Sequence, residues 1–254
     1  MYFVGVDLAW GLKGITGLAV ADESGRLLAA TERRTDDEIL EWLRPWTDGP
    51  CLVAMDAPLV VRNATGNRPC ESLVTKYFGK YNAGCHSSSL ALPHFADGGR
   101  AYRLALELGL RVDSLERVER QAVEVYPHPA IVALFGLPKI LQYKDKPGRD
   151  ASYCRSELLR LLDFLEGLPL LDVSRCADWD RIRTAVSLAT RKVELARVED
   201  SIDAIVCAYI AHYAHHQPDA VRPMGDAETG YILTPVTPDI ATRYDAALPH
   251  PSPA

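Results

Sequence analysis

The sequence predicts an α/β fold built on a mixed sheet, an antiparallel three-strand meander continued by parallel strands, flanked by helices and carrying helical insertions. Three observations lead there. Short apolar runs joined by Gly-containing turns open the chain, an amphipathic helical pattern follows them, and a continuous apolar run then stops at a proline, as a strand buried on both faces does.

The elements follow in order. Tyr2 to Trp10, Ile15 to Ala21 and Leu27 to Arg33 read as strands, turning at Gly11–Gly14 and at Glu23–Gly25. Thr35 can cap the helix DDEILEWLRPW, whose first-turn acids suit its positive end. CLVAMDAP is the buried strand that the crossover delivers, halted by Pro58. The stretch 59–120 is an insertion with helices expected near 70–78 and 98–110 and a Ser-rich loop at 86–89. AVEVYP at 122–127 is a further strand, AIVALFG a short helix or turn, and 138–150 a basic loop. Helical patterns then cover 151–166, 179–195 and 200–216, and GYILTP at 230–235 adds a last strand. A single domain over 1–240 with insertions at about 59–120 and 136–198 is expected, and 241–254, rich in proline toward its end, reads as a disordered tail.

With 48% hydrophobic and 24% charged residues over 254 positions, the composition excludes a disordered, collagenous or coiled-coil chain. Lys plus Arg total 28 against 34 Asp plus Glu, a net charge of −6, which weighs against non-specific coating of nucleic acid. It leaves room for a cation-holding site with a local basic rim. Cysteines 51, 70, 85, 154, 176 and 207 form no CxxC pair, and MYFVGVDLAW lacks a basic leader, so a cytoplasmic protein with reduced thiols is expected. No apolar run approaches the roughly 18–20 residues of a membrane span, so no membrane partner is expected.

The informative anomaly is a set of acids inside the most apolar segments, where an unpaired carboxylate is strongly disfavoured. Asp7 interrupts FVGVDLAW, Asp56 ends LVAMD and Glu124 lies between Val123 and Val125. Each alone also reads as a strand-end acceptor or a core acid paired with arginine. Acids at the C-terminal ends of neighbouring strands can converge at one sheet edge. In EDSIDAIVCAYIAHY, Asp200 and Asp203 are three apart and share a face near the apolar stripe, although N-capping and dipole compensation are simpler roles for them. A Mg²⁺ or Mn²⁺ ion, with its preference for hard oxygen ligands, resolves the acids together. His and Cys spacing offers no comparable zinc site.

At VGVDLAW, VAMDAP and DSIDAIVCAYIA the chain resembles the ribonuclease H-like superfamily, which carries acids on its first strand, its fourth strand and a late helix. The DxxDA helix also looks like that of Holliday-junction resolvases. More narrowly, VGVDLAW, DAPLVV, GNRPCE, EVYPHPA and EDSIDAIVCAY make the sequence similar to the family called domain of unknown function 429, described as RNase H-like nucleases. The resemblance implies metal carboxylates at Asp7, Asp56 and Asp203, with Asp200 and Glu124 supporting, and a metal-dependent nuclease acting on nucleic acid or another phosphoester. Asp56 stands where resolvases carry the longer Glu, and the 59–120 insertion is large enough to cover or reshape the site.

Arg68 is a candidate phosphate fork, with pairing to Glu71 or another loop acid as the plainer role. Lys139, Lys144, Lys146 and Arg149 form the concentrated positive segment, suited to phosphate contacts or simply solvated. His128, between two prolines, is a candidate proton handler or a turn imidazole bonded to backbone. Ser87, Ser88 and Ser89 lack a GxSxG elbow. Tyr77, Tyr81 and Tyr102 suit packing better than base stacking. A non-catalytic nucleotide- or nucleic-acid-binding domain is the second function class. An actin-like ATP-dependent phosphotransferase is the third, although DAPLVV supplies no Gly-rich phosphate hairpin.

Overall fold

A computed structural model describes residues 1–248. Its strands are β1 (Tyr2–Asp7), β2 (Thr16–Asp22), β3 (Leu27–Arg33), β4 (Cys51–Met55), β5 (Arg120–Glu124), β6 (Val221–Asp226) and β7 (Gly230–Pro235). Its α-helices are α1 (Asp36–Thr47), α2 (Pro69–Phe78), α3 (Arg100–Glu107), α4 (Pro127–Phe135), α5 (Ala151–Glu166), α6 (Ala177–Leu188), α7 (Lys192–His216) and α8 (Pro238–Asp245). The main sheet has the order β3-β2-β1-β4-β5, and β6-β7 form a separate antiparallel hairpin. β1, β2 and β3 pair antiparallel, while β4 and β5 run parallel to β1, so the expected mixed α/β sheet is what forms.

Both faces of the sheet are covered, which is why its central strands read as unbroken apolar runs. Val4, Val6, Val53 and Met55 pack with Ile39 and Leu43 of α1 and Leu104 of α3. Phe3, Ala54 and Val123 join the larger core with α7 and the helices around it. α1 starts as its sequence implies: Thr35 accepts a hydrogen bond from the Glu38 N–H, and the Glu38 carboxylate accepts one from the Thr35 N–H.

Two glycines set how closely α7 approaches the sheet. A Cβ on Gly5 would lie 1.9 Å from the Ala204 carbonyl oxygen, and one on Gly17 would lie 1.8 Å from that of Asp200. Only strands without side chains at those positions admit the helix backbone, and this contact carries Asp203 to the sheet edge.

The structure departs from the sequence reading in three places. The pattern at 179–195 is broken: Ala189 is extended, and Glu194 accepts from the Thr190 and Arg191 N–H groups, capping a new helix. α7 therefore begins at Lys192, ahead of the expected 200. β6 was not expected, because Pro223 and Gly225 interrupt its pattern. The tail expected over 241–254 is helical up to Asp245, where Thr237 caps α8 and Ile240 and Tyr244 are buried; positions 249–254 lie outside the described residues. Among the described residues, no helix is long and apolar enough to cross a membrane.

Candidate functional site

Asp7 closes β1 and Asp56 follows β4. The two strands are parallel, with Val6 opposite Met55, and the Asp56 N–H donates to the Val6 carbonyl at 2.8 Å. Register therefore places both acids at the C-terminal edge of adjacent strands. α7 brings Asp203 to the same place, and the three acids line one cavity of about 420 Å³. Glu124, Arg68, His128, Lys144, Lys146 and Arg149 also line it. Asp200 does not, although its charge is felt at Asp7, and Lys139 stays outside.

The electrostatics are those of crowded acids. Burial, followed by the charges of Asp203 and Asp56, pushes the Asp7 carboxyl well above the usual range. Burial pushes Asp56 up to about 8, with Lys144 opposing and Asp203 adding. Asp200 rises to about 7, through burial and then Asp203. Asp203 is fully buried; its Oδ1 accepts a hydrogen bond from the Tyr143 hydroxyl at 2.7 Å. Its Oδ2 has no partner in hydrogen-bond geometry among the described residues, only an ion pair with Lys144 Nζ at 2.8 Å. Lys144 also reaches Glu199 at 3.4 Å. Burial disfavours its ammonium, but Asp203 and the neighbouring acids outweigh that and hold it protonated.

Arg68 is not an open phosphate fork. Its Nη1 and Nη2 donate to the two oxygens of Glu124 at 2.8 and 2.5 Å, its Nε donates to Glu71 at 2.8 Å, and Nη1 also reaches the Val60 carbonyl. The side chain is 1% exposed. The GNRPCE stretch is explained by this: Pro69 starts α2, and Glu71 caps it by accepting from the Arg68 N–H while binding Ser88. Glu124 further accepts from the Leu59 N–H at 2.9 Å, so it is spoken for on both oxygens. Arg68 and Glu124 thus tie α2, β5 and the chain after Asp56 into a rigid floor, rather than standing as free substrate and metal groups.

His128 sits at the start of α4, half-buried beside Tyr126 and Tyr143. Burial lowers its pKa to about 4, leaving it neutral at pH 7. Ser87 and Ser88 are engaged with Asn67 and Glu71, and Tyr77 is buried against Tyr244. The sequence reading missed Tyr143, Trp10 and Tyr126; the adjacency of Tyr143 to Lys144 in the basic loop was the available signal for the first.

Among the described residues, no three His, Cys, Asp or Glu groups are placed to hold one ion as the side chains stand. The donor chemistry nonetheless fits a hard divalent cation: three carboxylates, one with a buried oxygen lacking a hydrogen bond, and Asp7 and Asp56 raised by burial and by the acids around them.

Fold and site together define an α/β protein with an acid cluster in a pocket at the C-terminal edge of its sheet. The chain belongs to the family described as Protein of unknown function (DUF429), whose family model matches residues 5–229. No curated protein and no solved structure gives a match.

Proposed function

We propose that this protein is a divalent-metal-dependent phosphoester hydrolase of the nuclease type. The observation that carries the reading is the convergence of Asp7, Asp56 and Asp203, from two strands and a helix, in one pocket with a lysine-bearing loop. Asp7, Asp56 and Asp203 would hold Mg²⁺ or Mn²⁺, with Asp200 beside them. The ion would supply Lewis-acid polarisation of the phosphoryl oxygen and a more acidic water.

The chain's own residues would do the rest. Lys144 and Lys146 draw the phosphate into the pocket and offset its charge. His128, kept neutral, offers one N–H and one lone pair to a phosphate oxygen or to the water. A water oxygen bonds to phosphorus as the ester P–O bond breaks, and the proton that the water gives up is matched by one taken up by the leaving oxygen. Tyr143 holds Asp203 in place by its hydrogen bond.

The test offers purified protein with Mn²⁺ or Mg²⁺ labelled single-stranded, duplex, hybrid and branched nucleic acids and small phosphoesters, with Asp7→Asn alongside. Hydrolysis that survives Asp7→Asn would end the proposal. A Mn²⁺-dependent rise in melting temperature that Asp203→Asn removes is the binding counterpart. The ion pair of Lys144 with Asp203 favours one second reading, a non-catalytic nucleotide-binding domain whose acids are neutralised from within.

A further inference from the structure

We propose that the pocket takes a small phosphoester of about mononucleotide size, its phosphate between the carboxylate cluster and Lys146 and Arg149 and its planar part against Trp10 and Tyr126, rather than a polynucleotide strand. This rests on the hydrolase reading and narrows its substrate class.

The walls carry the inference. One comes from the 59–120 insertion, which contributes Asn82, Gly84, Cys85 and His86 to the lining; the other comes from the loop that bears Lys144, Lys146 and Arg149. They are joined where the Ile140 N–H donates to the Tyr81 carbonyl at 2.9 Å, and the insertion is also held to the chain after β5, where the Tyr126 hydroxyl donates to the Gly84 carbonyl at 3.4 Å.

The basic loop is itself tied down. The Gln142 N–H donates to Glu157 at 2.9 Å, Tyr143 donates to Asp203, Asp145 pairs with Lys192 at 2.8 Å, and Arg149 donates to the Lys144 carbonyl at 3.0 Å. Ties from three positions to α5 and α7, with the Arg149 bond closing the loop on itself, make it a wall rather than a swinging flap. A strand crossing the site would have to pass its flanking nucleotides through these joined walls.

Of the three acids, Asp203 is fully buried, whereas Asp7 and Asp56 keep part of their surface exposed, so a phosphate inside the cavity meets Asp7 and Asp56 first. The volume of about 420 Å³ is in the range, about 300–1,000 Å³, of pockets that bury most of a small ligand. A phosphate inside a strand carries a nucleotide on each side, whereas a mononucleotide ester enters phosphate first. The lining holds both kinds of group that such an ester needs: the carboxylates and cations, and Trp10, Tyr126, Ile140 and Leu141 as aromatic and apolar side chains.

The experiment uses the full chain with Mn²⁺ or Mg²⁺ and compares bis(p-nitrophenyl) phosphate and thymidine 5′-p-nitrophenyl phosphate with labelled single-stranded and duplex oligonucleotides. Wild type, Asp7→Asn and Lys146→Ala/Arg149→Ala are assayed, and binding of thymidine 5′-monophosphate and of the oligonucleotides is measured by calorimetry. The proposal expects turnover of the small esters that Asp7→Asn abolishes, at least tenfold slower internal cleavage of oligonucleotides, and a KM raised about tenfold or more by the double substitution. Oligonucleotides cleaved internally as fast as the small esters, in an Asp7-dependent way, would overturn the substrate class while leaving the hydrolase reading intact. Mononucleotide binding that the double substitution weakens, without turnover of any substrate, would support the pocket's ligand class and remove the hydrolase reading. Failure to bind the mononucleotide would overturn the proposal itself.

Discussion

Arg68→Ala is the perturbation whose size the structure defines best. The guanidinium makes paired bonds of 2.8 and 2.5 Å to Glu124 and one of 2.8 Å to Glu71, and all three side chains are buried. Removing the cation leaves two carboxylates without their counter-charge in a low-dielectric interior, a loss of about 3–5 kcal/mol for one broken buried pair. In a chain of this length each kcal/mol moves the melting temperature by about 2–4 °C, so a drop of about 6–20 °C is expected. Urea unfolding followed by circular dichroism gives the free energy directly. The loss should shrink toward acid pH, because a Glu124 stripped of Arg68 takes up a proton and no longer opposes its own burial. Arg68→Met/Glu124→Gln should regain part of it, since one of the two uncompensated charges is gone and Leu59 keeps an acceptor, while Glu71 retains its bonds from Ser88 and the backbone. A loss under about 1 kcal/mol that does not change with pH would refute the reasoning and return Arg68 to the group of free substrate contacts.

Gly5→Ala should destabilise by more than the about 1–3 kcal/mol usual for overpacking, because the new Cβ meets backbone atoms at 1.9 and 2.4 Å; unchanged thermal unfolding would contradict the close approach of α7 to β1. Without divalent metal, stability should fall as pH rises from about 4 toward about 8: the folded state keeps a proton on Asp56, raised from 3.8 to about 8, while the unfolded chain has lost it. Asp56→Asn should flatten that slope, and an unaltered pH profile would show that Asp56 is not responsible. His128 should remain a neutral imidazole down to about pH 4 in nitrogen-correlated NMR spectra; a midpoint near 6.5 would mean that the ring is solvated.

The amino-acid sequence by itself determined the main sheet. Apolar runs of strand length, Gly-containing turns, a Thr35–Glu38 capping box and a proline stop are local signals, and each acts within a few residues of the element it sets. It also singled out Asp7, Asp56 and Asp203, because a carboxylate within an apolar run stands out whatever the fold. Which acids remain available was a tertiary decision. Glu124 and Asp7 occupy similar contexts, yet Arg68, far away in sequence, engages both Glu124 oxygens, while Asp7 faces other acids. Tyr143 and Lys144 gain their roles only because α7 settles on Gly5 and Gly17 and presents Asp203 to their loop. Partners this distant in sequence leave no periodicity to read. A carboxylate's charge state and reach follow from what surrounds it after the chain has closed.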